Sequence, residues 1–151
     1  MKKPKVGIIM GSKSDFPVMS RAAQTLRDFG IGSDIVVASA HRTPKKVKAF
    51  AASAEKKYDL IIAGAGMAAH LPGVLASFTT LPVIGVPISS KSLGGFDALY
   101  SIVQMPPGIP VATVAIDGSK NAAILAAEIL AIKYPYLTGK LKKFRAELAK
   151  K

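Results

Sequence analysis

The stretch Leu60-Ile61-Ile62-Ala63-Gly64-Ala65-Gly66-Met67-Ala68-Ala69-His70-Leu71-Pro72-Gly73 joins an unbroken apolar run to a glycine-marked turn and a proline-started helix. A strand that is apolar at every position, rather than at alternate ones, is covered on both faces, as in a parallel sheet between helix layers. The same unit recurs on either side. Val6-Gly7-Ile8-Ile9-Met10 leads through Gly11-Ser12-Lys13-Ser14-Asp15 into a helix expected from Phe16 to Phe29, closed by Gly30. Ile35-Val36-Val37-Ala38 leads through Ser39-Ala40-His41-Arg42-Thr43-Pro44 into a helix expected over 44–57. Residues 82–86 and 111–116 complete a set of five strands, and further helices are expected at 71–78, 121–132 and 139–150. The segment 91–110 is the least regular; it has room for a short helix at 96–103, and its prolines imply a rigid, shaped loop that either connects, contacts another copy or walls a pocket.

Five apolar strands separated by helices fit a three-layer α/β, flavodoxin-like fold with a parallel sheet in the order 2-1-3-4-5. In that order the first strand lies between the second and third. The turns after these three strands then share one rim, the edge at which open α/β sheets bind ligands. At 151 residues the chain, 1–151, is expected to be one domain ending in a basic helix at about 139–150.

Composition narrows the functional classes. There is no cysteine, which excludes disulfides, thiol nucleophiles and thiolate metal sites and suits a reducing compartment. The most apolar stretch, 60–77, is interrupted by Gly64, Gly66, His70, Pro72 and Gly73, so no membrane span is expected, and the short run after the basic N-terminus is no signal-peptide core. A cytoplasmic protein is the simplest expectation. Half of the residues are hydrophobic, and 121–132 (NAAILAAEILAI) lacks a broad polar face, which points to self-association. The net charge of +12 arises from 21 basic and 9 acidic residues, gathered at Lys2, Lys3 and Lys5 and again from Lys140 to Lys151. Aromatic residues are not interleaved with this charge as stacking on nucleic acid requires, so no nucleic-acid partner is expected; a positive field also favours capture of a phosphorylated metabolite.

Each turn carries its own chemistry. Ser12 and Ser14 stand where a helix begins, a place that favours phosphate, and Asp15 suits a sugar diol; serine and aspartate there also serve as ordinary helix caps. His41 has the side chain suited to proton transfer near neutral pH, and Arg42 forms paired bonds to phosphate or carboxylate. In the third turn Gly66 and its alanines leave room for a flat ring. His70 either faces a ligand or is a buried ring bonded to backbone, the second being preferred on residue type alone. Two histidines in separate turns make a poor metal shell, and the glycine spacings of dinucleotide and Walker loops are missing.

Taken in order, GSKSD, SAHRTP, AGAGMAAHLPG and LYSIVQMPPGIPVATVAI with NAAILAAEIL resemble the class I N5-carboxyaminoimidazole ribonucleotide mutases of purine synthesis, over about Val6 to Ile132. The resemblance implies a homo-octamer without a cofactor, acting on a small nucleotide whose carboxylate moves from an exocyclic nitrogen to ring carbon C4. By matching motif it implies His41 as the acid–base residue and Ser12, Asp15 and Arg42 as substrate-binding, with Ser14, Ser39, Gly66, Ala68, His70 and Leu71 lining the pocket. Two departures stand out. Met67 occupies what is a second glycine in the family's GAGGAAHLPG, where a positive φ would strain it, and the link before Asn121 is shorter than usual. The alternatives are a carboxylase that uses free carbon dioxide, whose signatures differ at both histidine turns, and a non-catalytic nucleotide-binding module.

Overall fold

The computed structural model describes residues 3–150; Met1, Lys2 and Lys151, two of them in the basic clusters noted above, lie outside the described residues. Five parallel strands, β1 (Lys5–Met10), β2 (Gly32–Val37), β3 (Leu60–Gly66), β4 (Val83–Ile88) and β5 (Ala112–Thr113), form one sheet in the order β2-β1-β3-β4-β5. Six helices cover it: α1 (Phe16–Asp28), α2 (Pro44–Lys57), α3 (Leu71–Ala76), α4 (Phe96–Val103), α5 (Ser119–Lys133) and α6 (Tyr136–Leu148). The flavodoxin-like order expected from the sequence is the observed one.

Strand side chains alternate between faces, so each strand serves two cores. On one face Ile8, Met10, Ile62 and Ile84 pack with Met19 and Leu26 of α1 and the alanines of α5. On the other, Ile9, Ile61 and Ala63 pack with Val47 of α2, Leu75 of α3 and Ile102 of α4. Burying a side chain of this size contributes on the order of 1.5–3 kcal/mol, which is why the runs at 6–10 and 60–63 predict strands so reliably. Gly7 has a packing reason: a Cβ there would stand 2.8 Å from the Tyr58 ring, which is stacked with Phe50.

Helix α5 meets α1 through Ala122, Ala123, Ala126 and Ala127, all fully buried, and is covered from another side by α6. Its lack of a polar face is thus largely explained inside the chain, leaving Ile132 exposed. Helix α6 begins at Tyr136 rather than Gly139, behind Pro135, and is docked by Leu137 and Leu141 rather than free. Lys140 donates to the Phe29 carbonyl at 2.7 Å and Arg145 pairs with Glu128 at 2.6 Å. Among the described residues no helix is long and apolar enough to cross a membrane.

The fifth strand is shorter than the expected 111–116. Thr113 is opposite Gly85, and Val114 still donates to the Gly85 carbonyl, but the next bond to β4 runs from Asp117 to Pro87. Three residues therefore cover two of β4, and Pro87 has no N–H to return a bond, so the ladder breaks and the chain turns away.

At the edge of the sheet away from the strand C-termini, Asp59 accepts from the Lys5 N–H, from Lys133 Nζ and from Tyr134 Oη, tying β1, β3 and the end of α5 together. Burial alone would raise this carboxyl, but the bonds from Lys133, Lys5 and Tyr134 outweigh it and hold the pKa below the ordinary value. A depressed carboxyl stabilises the fold above its unfolded pKa, and that stability is lost as pH falls through the folded value. Asp59→Asn is expected to cost roughly 1–2 kcal/mol at neutral pH in urea unfolding, with the gap to the parent closing on acidification below about pH 4.

Candidate active site

The C-terminal ends of β1, β2, β3 and β4 open into a crevice of about 580 Å³. Every residue singled out in the three turns lines it: Ser12, Ser14 and Asp15 after β1, Ser39, His41 and Arg42 after β2, and Gly66, Ala68, His70 and Leu71 after β3. The turns begin as extensions of the ladder. Gly11 donates to the Gly64 carbonyl at 3.1 Å and Ala38 to the Met10 carbonyl at 2.9 Å, so each loop leaves the sheet from a fixed point.

In the first turn, Asp15 Oδ2 accepts from the Ser12 N–H at 3.1 Å while Ser12 Oγ accepts from Ser14 N at 3.3 Å and Ser14 Oγ at 2.9 Å. This reciprocal cap shapes a single 3-10 turn, Lys13–Asp15, ahead of α1. Capping and ligand binding are compatible here, since only one oxygen of the carboxylate is used by the cap. Burial raises the pKa of Asp15, opposed by the Ser12 N–H and by the nearby positive charge of Arg42. A carboxyl of this kind accepts strongly from a ligand hydroxyl because water competes poorly for it.

The second turn is braced by Thr43, whose Oγ1 accepts from Ser39 N at 2.9 Å while its own N–H donates to the Ser39 carbonyl. Arg42 donates from its backbone to Ser39 Oγ and from Nη2 to the Gly11 carbonyl at 3.0 Å, bridging the first two turns. The guanidinium has five N–H donors, so this bridge leaves donors aimed at the crevice for an anion.

The third turn corrects one expectation. His70 is exposed rather than buried, and its ring meets not backbone but the other histidine: His41 Nε2 and His70 Nδ1 lie 2.6 Å apart, the rings nearly perpendicular at 82°. A contact of this length needs one proton between the two nitrogens, one ring donating and the other accepting. Topology, not residue type, accounts for the outcome. With β1 between β2 and β3, the second and third turns flank the first closely enough for their imidazoles to touch.

Met67 also lies at the mouth of the crevice, 63% exposed, with φ at +56°. The third turn does require a left-handed residue at this position, and methionine supplies it under strain. Neighbouring Gly66 fits tightly, since a Cβ there would stand 3.2 Å from the Ile88 carbonyl oxygen.

The crevice has a fourth wall that local composition does not reveal. Ser89 and Ser90, directly after β4, line the same crevice. Paired serines are common in any loop, so their composition carried no signal; their position after the strand that neighbours β3 did. Among the described residues no three side chains of the His, Asp or Glu type converge as a metal shell.

A parallel α/β sandwich with a polar crevice at the strand C-termini, holding paired imidazoles, a guanidinium and a buried carboxyl, is a flavodoxin-like protein built to bind a small anionic ligand. The chain belongs to the AIR carboxylase family, whose model matches residues 5–151. It is 64% identical over 146 residues to the N5-carboxyaminoimidazole ribonucleotide mutase of Pyrococcus abyssi (96% of this chain, 84% of that one). It is 58% identical over 146 residues to the enzyme of the same name from Thermotoga maritima (96% and 85%). The crystal structure of Treponema denticola PurE superposes with a TM-score of 0.89 at 33% identity, covering 98% of this chain and 93% of that one.

Replacing Met67 tests the strained turn directly. Met67→Gly is expected to raise stability, by up to about 1 kcal/mol, because glycine occupies the left-handed region without the Cβ penalty. Thermal unfolding of the two proteins measures it; a clear fall in Tm would mean that the methionine side chain holds the turn.

Proposed function

We propose that the chain, 1–151 acting as one domain, is an N5-carboxyaminoimidazole ribonucleotide mutase, an isomerase of purine synthesis that converts its substrate to 4-carboxyaminoimidazole ribonucleotide. The observation that carries this reading is the meeting of His41, Arg42, Ser12 and Asp15 in one crevice, in a chain more than half identical to proteins bearing that name. Arg42 and the first-turn amides and hydroxyls bind the phosphate, Asp15 the ribose, and Gly66 and Ala68 leave space for the imidazole ring, with Ser14, Ser39, His70 and Leu71 completing the pocket. No cofactor takes part.

The reaction needs one proton lent and returned. His41, as imidazolium, gives a proton to the exocyclic nitrogen as its bond to the carboxylate carbon breaks, and carbon dioxide is released. The electron-rich ring carbon C4 attacks the carbon dioxide, forming the new carbon–carbon bond. His41, now neutral, takes the proton that C4 loses, which restores the aromatic ring and the starting imidazolium. Small walls keep the gas against the ring between the two steps, so recapture competes with escape.

The chain is also inferred to assemble as a homo-octamer and to work in the cytoplasm. Apolar side chains left exposed on α4 support assembly: Phe96, Tyr100 and Val103 form one stripe, with Leu93 beside it. Light scattering at working concentration is expected to give the mass of eight copies.

Activity is tested by supplying the two candidate substrates separately. Turnover is expected with the N-carboxylated ribonucleotide; a comparable rate with the unsubstituted ribonucleotide and bicarbonate would instead identify a carboxylase. His41→Asn is expected to abolish turnover, by a factor of at least about 100, while product binding persists in calorimetry. Arg42→Ala should chiefly weaken binding, roughly tenfold to a hundredfold in Kd, through loss of a charge-assisted contact.

A further inference from the structure

The fourth wall of the crevice is held from outside it. Asp117, in the turn between β5 and α5, accepts from Ser89 N at 2.9 Å and from Ser89 Oγ at 2.7 Å. Its own N–H is fixed to the Pro87 carbonyl at 2.8 Å, one strand position before Ile88. To make these bonds the residue adopts a φ of +57°, a backbone region that side chains other than glycine avoid. The turn is braced from behind as well: Gly94 donates to the Ser90 carbonyl, and a Cβ on Gly95 would stand 3.1 Å from Ser89 Cα. Ser90 also lines the crevice, and its hydroxyl is buried with no hydrogen-bond partner among the described residues.

We propose that Asp117 is a positioning residue of the active site, which clamps the Ser89–Ser90 turn as the wall against which the nucleotide is bound. The strain marks its purpose: glycine would form the same backbone turn more cheaply but offers no carboxylate to hold Ser89. Asp117 itself touches no ligand and acts through Ser89. The proposal rests on the mutase reading for the identity of the substrate, though not for the clamp.

The test compares Asp117→Gly, Asp117→Asn, Ser89→Ala and the double variant Asp117→Gly/Ser89→Ala. Asp117→Gly keeps the backbone and removes the clamp, so Tm is expected to hold or rise while KM and the product Kd increase about fivefold and kcat changes little. Asp117→Asn tolerates the left-handed backbone and keeps an acceptor for the Ser89 N–H, so it should recover most of the lost affinity. The double variant should match Asp117→Gly alone, because both substitutions break one linkage. An unchanged KM in Asp117→Gly, or additive effects in the double variant, would overturn the proposal. A parent chain that turns over neither candidate substrate would overturn the mutase reading instead. In that event amide exchange at Ser89 still decides the clamp, which requires faster exchange in Asp117→Gly than in the parent.

Discussion

The site depends on one feature of the sheet, the parallel pairing of β1 with β2 on one side and β3 on the other. Ile8 stands opposite Ile35 and Ile62, and Met10 opposite Val37 and Gly64. Because all three strands run the same way, their last residues arrive at one edge in register, and the following backbone has nowhere to go but over that edge. The Gly11 and Ala38 N–H groups continue the ladder for one more bond each before the loops diverge. Residues separated by 29 positions, His41 and His70, are thereby held at contact distance without any direct covalent or helical link between them. The rigidity of the crevice is inherited from a core of fully buried isoleucines rather than built by the loops.

Where a segment's burial was uniform, the sequence alone foretold it well. The runs at 6–10 and 60–63 are apolar at nearly every position because both faces are covered, and their strands, like the order of the sheet, follow from that. Residues 111–116 have similar composition, yet only Ala112 and Thr113 pair regularly, because an edge strand has one neighbour and that neighbour contains Pro87. Local composition does not report what the partner strand offers. His70 failed for the same reason in reverse: the residue type suggests a satisfied core ring, while the second imidazole that determines its role lies in a distant turn. Ser89 and Ser90 carry no signal in their composition; the signal lies in their position after β4 and in Asp117, 28 residues further on.

The two described non-glycine residues with positive φ are Met67, directly after β3, and Asp117, in the turn that leads from β5 to α5. Such strain persists only where neighbouring structure fixes the backbone on both sides. Met67 is held between Gly66, packed on the Ile88 carbonyl, and the start of α3; Asp117 is held between its bond to Pro87 and the Ser119 N–H, which donates to its own carbonyl. The two differ in what the side chain returns. The Met67 side chain projects largely into solvent, whereas the Asp117 carboxylate makes two hydrogen bonds. Strain that secures a contact is a different matter from strain that merely survives, and the two positions separate the cases within one sheet.

The histidine pair limits what the site can do with protons. Two neutral imidazoles carry two protons on four ring nitrogens, and the 2.6 Å contact accommodates one of them. Adding a third proton gives a singly charged pair with the contact intact. A fourth would set N–H against N–H and break it. Neutral and singly positive are therefore the two states in which the contact survives, and they are the two that an acid later acting as a base would visit. A carboxylate in the place of His70 would orient His41 equally well but would hold the added proton electrostatically. On the proposed mechanism the proton is given to a departing nitrogen and recovered from a carbon of the same ring. A neutral partner, which orients without adding a fixed charge, biases neither step, and this is the physical sense in which a second imidazole rather than an aspartate belongs beside His41.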